Sequence, residues 1–220
     1  MRKYPKIRGW KWSRVRDMDV KQFLLHVYNE TKQAGVTLQL TPTKTVACEG
    51  ERINGFFDTE PPHTLAVATN HRMSLWLKVL VHEYSHFEQW RFNAPLWREG
   101  YVGGEDSSGL LFDWLGGKKF SRKKLLKIIK RTQACEWDCE RRTLENIKRF
   151  SLPLDTGEYA QYANAYVYFY TWVGIRRKWY KAGSEPYRVP QILAAMPKTL
   201  SANYQEMSLD RIYLYDEYCR

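Results

Sequence analysis

The stretch H-E-Y-S-H, from His82 to His86, contains two histidines that would lie one helical turn apart, with a glutamate directly after the first. In a helix, residues i and i+4 lie one above the other, so both imidazoles can bind the same cation. Zinc takes such ligands in a tetrahedral arrangement at about 2.0–2.1 Å. Glu83 is placed to take a proton from a zinc-bound water and so generate the nucleophile that attacks a peptide bond. The pattern H-E-x-x-H therefore predicts a hydrolytic site with one zinc ion per chain.

A catalytic zinc site needs a third protein ligand besides the water. No histidine follows His86, so a downstream carboxylate is the natural candidate. Glu136 and Glu140 stand out because they are spaced by one turn on a predicted helix and so share a face. One can bind the metal while the other supports it. The alternatives are a solvated acidic pair here, and two packed core histidines beside an accidental glutamate in the first motif.

Together these motifs resemble the gluzincin metallopeptidases, in which H-E-x-x-H on one helix is completed by Glu from a second helix. The stretch E-W-D-C-E from Glu136 to Glu140 matches the second motif, with Glu where Asp is usual at the last position. The resemblance implies that Glu136 is the third zinc ligand and that Glu140 accepts a hydrogen bond from a ligating histidine. The Glu at the last position leaves open whether the two exchange roles.

The predicted order of elements also resembles the minimal zincin core of ImmA-type and phage-encoded metallopeptidases. The resemblance implies a protein or peptide substrate that binds as an added strand at a sheet edge. The candidate edge is Leu65, Ala66, Val67, Ala68 and Thr69. The candidate oxyanion donors are Tyr159, Tyr162 and Tyr166, for which core packing is the alternative.

The elements that must position these residues follow from the hydrophobic periodicity. We predict a helix that is capped by Asp19 and runs to about Ala34, and short strands near residues 36–40, 45–48, 52–57 and 65–69. Longer helices are predicted at residues 73–91 and 118–149, followed by an aromatic helical segment at 158–180. The Gly-rich stretch 100–109 is predicted to be a surface loop beside the site. The expected fold is α+β, with a small, mostly antiparallel sheet, a zincin-like core and a helical C-terminal extension.

We expect one domain, consisting of a basic aromatic arm (1–18), a catalytic core (19–150) and a helical extension (151–220). Hydrophobic residues make up 44% of the chain and aromatic residues 15%, which excludes disorder. There is no apolar run of the length that a membrane helix needs, and the N-terminal region lacks the apolar core of a signal peptide. These features predict the cytoplasm, which would be that of the host cell for a phage-encoded protein.

The formal net charge of +11 favours anionic partners. The densest basic cluster lies at residues 118–131, and a solvated helix face is its simplest interpretation. An alternative function is therefore a nucleic-acid-associated protein with a structural or vestigial zinc site. A second alternative is a zincin core that binds a host partner without cutting it. The four cysteines are expected to be reduced, with Cys135 and Cys139 packed in the interior.

Overall fold

The computed structural model describes residues 4–48 and 50–219, so the first three residues of the predicted arm lie outside it. It has the expected α+β fold with a helical C-terminal region. The chain forms two compact units, residues 1–94 with 142–154 and residues 95–141 with 155–220. No helix in the described ranges combines the length and the apolar character that are needed to cross a membrane.

The first unit contains α1 (Met18–Gln33), β1 (Thr37–Thr41), β2 (Val46–Cys48), β3 (Glu51–Ile53), β4 (Gly55–Asp58), β5 (Thr64–Ala68) and α2 (Met73–Arg91). The cap of α1 is Asp17, two residues before the predicted Asp19, because its carboxylate accepts hydrogen bonds from the backbone N–H groups of Asp19 and Val20. The apolar face of α1 is fully buried at Phe23 and Leu24.

The main sheet has the strand order β1-β5-β4, and β2 and β3 form a separate antiparallel hairpin. Strand β5 runs parallel to β1 and antiparallel to β4, so the main sheet is mixed. The prediction that Leu65–Thr69 forms a free edge is wrong. Strand β5 is the central strand, and its backbone groups already bond to neighbours on both sides. The open edge belongs to β4, since β1 also pairs with the N-terminal arm through a bridge between Arg8 and Gln39.

Helix α2 has the predicted bounds because its buried residues recur every three or four positions. Arg72 is the N-cap residue of α2, and its side chain makes no capping hydrogen bond. The last turns of α5 (Arg122–Arg149) belong to the first unit and bond to buried polar groups of α2. Thr143 donates to Ser85 Oγ at 3.0 Å, and Asn146 Nδ2 donates to Glu88 Oε2 at 2.8 Å. These bonds fix the rotation of α2 about its axis.

The second unit contains α3 (Pro95–Glu99), β6 (Tyr101–Val102), β7 (Glu105–Asp106), α4 (Ser107–Leu115), α5 up to residue 141, α6 (Thr156–Arg176), α7 (Pro190–Ala194) and α8 (Leu209–Tyr218). The predicted Gly-rich loop is instead a hairpin followed by the start of α4. Gly103 and Gly104 form its turn with φ of 68° and 86°, which glycine adopts without strain.

Helix α6 lies at the centre of the core of this second unit. Trp172, Phe169 and Val173 are fully buried, and the hydroxyl of the fully buried Tyr215 donates to the Ala165 carbonyl at 2.7 Å. A helix that is apolar on nearly all sides has to be buried on nearly all sides. This explains the density of aromatic residues in the segment 158–180.

Candidate metal centre

Helix α2 presents His82, Glu83 and His86 on a half-buried face. The two imidazole ring centroids are 4.8 Å apart, as expected for adjacent turns. The helix buries Leu77, Leu80 and other apolar residues on a different face. The imidazoles are therefore accessible to a ligand rather than sealed in the core.

The orientation of His86 is set by Gln89, which is fully buried one turn further along α2. His86 Nδ1 and Gln89 Oε1 are 2.9 Å apart. An amide oxygen can only accept, so this bond requires a proton on Nδ1, and in the neutral imidazole Nε2 is then the nitrogen that binds a metal. This is the arrangement in which an imidazole binds a metal through one nitrogen while the other is held by a neighbouring group.

Glu83 lies beside the open edge of the sheet. A Cβ atom on Gly55 of β4 would be 2.5 Å from Val79 Cγ1 and 3.4 Å from Glu83 Cγ, so only glycine fits at this approach. The same Cβ would be 2.9 Å from the Ala66 carbonyl of β5, and backbone atoms cannot easily give way. Close contact between β4 and α2 thus places the motif glutamate next to an edge strand.

The ligand atoms of His82, His86 and Cys139 all lie within 4.8 Å of one another, which makes a group that can bind a metal ion. Imidazole and thiolate are both ordinary zinc ligands. Cys139 is fully buried, as predicted, but its place beside the two histidines was not predicted. The available signal was the position of Cys139 between Glu136 and Glu140, where a small residue is usual in the second motif and where this chain has a ligand type instead.

The two glutamates of the second motif lie next to tyrosine hydroxyls of α6. Glu140 is fully buried and its Oε2 accepts a hydrogen bond from the Tyr159 hydroxyl at 2.6 Å. Burial, and then the nearby charge of Glu136, raise the pKa values of Tyr166 and Tyr170 well above the usual range. Neither glutamate belongs to the group of three ligands described above, and their assignment as metal ligand and supporting residue stays a prediction.

The three candidate oxyanion donors belong to a network of tyrosine side chains on and beside α6, the phenolic network. Burial is the main cause that raises the pKa of Tyr159 well above its usual range, so its single O–H remains protonated and is donated to Glu140. The hydroxyls of Tyr166 and Tyr170 are 2.8 Å apart and bond to each other. The ring of Tyr162 packs on Tyr187 with centroids 4.8 Å apart. For Tyr159 the geometry favours the structural alternative.

Comparison with known proteins assigns no family. No protein-family model matches this chain, and no curated protein or solved structure matches it either. The resemblance to gluzincins consists of the two short motifs. The chemistry of the candidate centre therefore follows from its own side chains.

Proposed function

We propose that this protein is a zinc-dependent metallopeptidase in which His82 and His86 bind zinc and Glu83 is the general base. The observation that carries the proposal is the geometry of the motif on α2. Both imidazoles lie on a half-buried helix face, and the hydrogen bond to Gln89 puts a proton of His86 on Nδ1, which makes Nε2 its metal-binding nitrogen. Two packed core histidines would be buried with both ring nitrogens committed to the interior.

The donor set suits zinc. Two imidazoles with one further protein ligand leave a fourth position for water, as catalytic zinc sites require. The thiol of Cys139 is the third ligand that the geometry supports, since its Sγ belongs to the group within 4.8 Å. Glu136 and Glu140 are the third ligands that the sequence resemblance supports. These possibilities differ in charge and in the spectroscopic signature of a bound metal, so one experiment separates them.

Zinc held by His82 and His86 would supply a Lewis acid that lowers the pKa of a water towards 7. The carboxylate of Glu83 would take the proton of that water as its oxygen bonds to the scissile carbonyl carbon, and would deliver the proton to the amine nitrogen as the C–N bond breaks. Both imidazoles are positioned by helix α2, and His86 is also held by its hydrogen bond to Gln89.

The substrate class follows from the strand beside Glu83. Strand β4 bonds to β5 on one side, and no strand of the described ranges covers its other side. An extended peptide can add to such an edge through main-chain hydrogen bonds. We place the scissile peptide along β4, because Gly55 brings this strand against α2 at Glu83. The proposed substrate is therefore an unfolded or flexible protein segment.

The deciding experiment measures zinc per chain in the purified protein and in single variants. We expect one zinc per chain, lost in His86→Ala. Loss in Cys139→Ala with retention in Glu136→Ala would identify the thiolate as third ligand, and the reverse would identify the carboxylate. Cys135→Ala is the matched control, since it removes a thiol one turn away on the same helix. Absence of zinc, or full zinc in His86→Ala, would overturn the proposal.

Cobalt substitution gives a second readout of the same ligand. A thiolate ligand produces a sulfur-to-cobalt charge-transfer absorption in the near ultraviolet, and a carboxylate does not. We expect this band in the wild type and its loss in Cys139→Ala. Zinc without hydrolysis of any unfolded protein would favour the alternative of a zincin core that binds a partner without cutting it.

A further inference from the structure

The first half of α5 and the turn before it carry an uninterrupted run of positive charge. Eight lysines and arginines and no acidic residue lie between Gly116 and Cys135. Within α5, Arg122, Lys123, Lys127 and Lys130 are exposed while Ile128 and Ile129 are buried. These cations share one side of the helix, and Lys123 and Lys127 are separated by about 6 Å along its axis. The result is a straight row of cations on a rigid element.

A second basic segment, from the C-terminal end of α6, lies next to this row. The Arg177 guanidinium donates to the Trp114 carbonyl at 2.6 and 3.1 Å, and to the Lys118 carbonyl at 3.5 Å. Gly174 packs against Ile129 of α5, where a Cβ atom would be 2.7 Å from the Ile129 Cδ1. Lys178 and Lys181, both exposed, follow in the chain. Two basic segments that are far apart in sequence therefore adjoin.

Much of this charge is not neutralised within the unit. Ion pairs join Lys118 to Asp113, Lys124 to Glu105, and Arg131 to Glu99. In the described ranges, no ion pair involves the following exposed cations: Lys119, Arg122, Lys123, Lys127, Lys130, Lys178 and Lys181. Closely spaced like charges repel, and a polyanion relieves that repulsion while releasing its own counterions.

Aromatic rings accompany the cations. Phe112 is 52% exposed and packs on Trp179 with ring centroids 5.0 Å apart. Phe120 lies under the ammonium groups of Lys118 and Lys124, at 5.5 and 4.9 Å from its centroid. Single-stranded nucleic acids bind where cations follow the backbone and aromatic faces stack with bases. An acidic protein would need the cations alone, so the rings favour nucleic acid.

We propose that the basic face, formed by residues 118–131 and 177–181, binds the phosphate backbone of single-stranded nucleic acid. The contact requires neither zinc nor Glu83, so it stands or falls independently of the peptidase proposal. The row on α5 holds phosphates, and the segment after α6 extends the track. The shared chemistry is a sugar-phosphate strand with accessible bases, for which DNA and RNA are the two sources.

The test measures fluorescence anisotropy of labelled single-stranded DNA, single-stranded RNA and duplex DNA of about 20 nucleotides, with the full chain, over a range of salt. The test variant is Lys123→Gln/Lys127→Gln/Lys130→Gln. The control variant is Lys32→Gln/Lys44→Gln/Lys148→Gln, which loses the same charge from exposed side chains of the first unit. Each lost phosphate contact should reduce the slope of log K against log salt by about 0.7.

The expected result is at least tenfold weaker binding and a slope lower by about 2 in the test variant, with little change in the control. The pair Lys178→Gln/Lys181→Gln is expected to weaken binding on its own, which tests the track without altering α5. The relative affinities for DNA and RNA identify the source of the strand. The proposal is overturned if no strand binds at low salt, or if both triple variants lose affinity equally. It is also overturned if the protein binds vesicles that contain anionic lipid but binds none of the strands.

Discussion

The motif face of α2 and the phenolic network of α6 both hold polar side chains in apolar surroundings, but the two regions differ in how deeply those side chains are buried. On α2, His82, Glu83 and His86 are half-buried, and His86 Nδ1 donates to Gln89. On α6, the fully buried Tyr159 gives its only donor to Glu140. A polar group that is kept for an external ligand must stay partly open, whereas one used in folding is buried and hydrogen-bonded within the protein.

The difference has an energetic origin. A buried polar group costs about 1 to 3 kcal/mol when it loses its partner, and a half-exposed group can bond to water instead. Substitutions on the motif face should therefore change chemistry more than stability. Substitutions in the phenolic network should change stability more than chemistry. Four experiments test this contrast.

The largest effect is expected for Glu83→Gln. Removal of the general base should lower the rate of hydrolysis of an unfolded protein substrate by about 10²- to 10⁴-fold, while zinc stays bound. Fluorescent casein and elemental analysis provide the two measurements. Glu51→Gln, a carboxylate on the surface of β3, is the control and should keep full activity. Retained hydrolysis in Glu83→Gln would rule out the proposed mechanism.

Next in size is Gln89→Leu. His86 Nδ1 then loses its hydrogen-bond acceptor, and zinc affinity should fall by about 10- to 100-fold. Competition with a chromophoric chelator measures this change. Gln191→Leu, on the exposed side of α7, serves as control. Unchanged zinc affinity in Gln89→Leu would show that the bond does not orient the ligand.

In the phenolic network, Tyr159→Phe removes the hydroxyl that Glu140 accepts from and should reduce the free energy of unfolding by about 1 to 3 kcal/mol. Urea denaturation followed by circular dichroism measures this loss. Tyr213→Phe is the control, because Tyr213 is 65% exposed. Equal stability of the two variants would contradict the distinction between the regions.

The smallest effect concerns Glu88 on the buried face of α2, whose pKa is raised chiefly by burial. The folded state then holds this proton more tightly than the unfolded chain, so stability falls as pH rises from about 4.5 towards the raised value. Glu88→Gln keeps the acceptor for Asn146 and should stabilise the protein at neutral pH, on the order of 1 kcal/mol, with a flatter pH profile. A profile identical to that of the wild type would show that Glu88 is not the titrating group.

Much of the local structure was predictable. The bounds of α2 follow from a long apolar period, and short apolar runs between turn residues located β1, β2 and β5. The single strand predicted at residues 52–57 is two strands, β3 and β4, which belong to different sheets. The Gly-rich stretch was mistaken for a loop, because its hairpin strands are two residues each and carry almost no periodicity. The cap of α1 was misplaced by two residues for a similar reason, since Asp17 and Asp19 are equally good caps in sequence.

By itself, the sequence determined that His82, Glu83 and His86 share one helix face, because helical spacing is a local property. Only the tertiary structure decided which strand is central, which face of α2 stays open, and that Cys139 joins the two histidines. These depend on contacts between segments that are distant in the chain. Local periodicity shows which face of a helix or strand is apolar, but it does not show which other segment of the chain packs against that face.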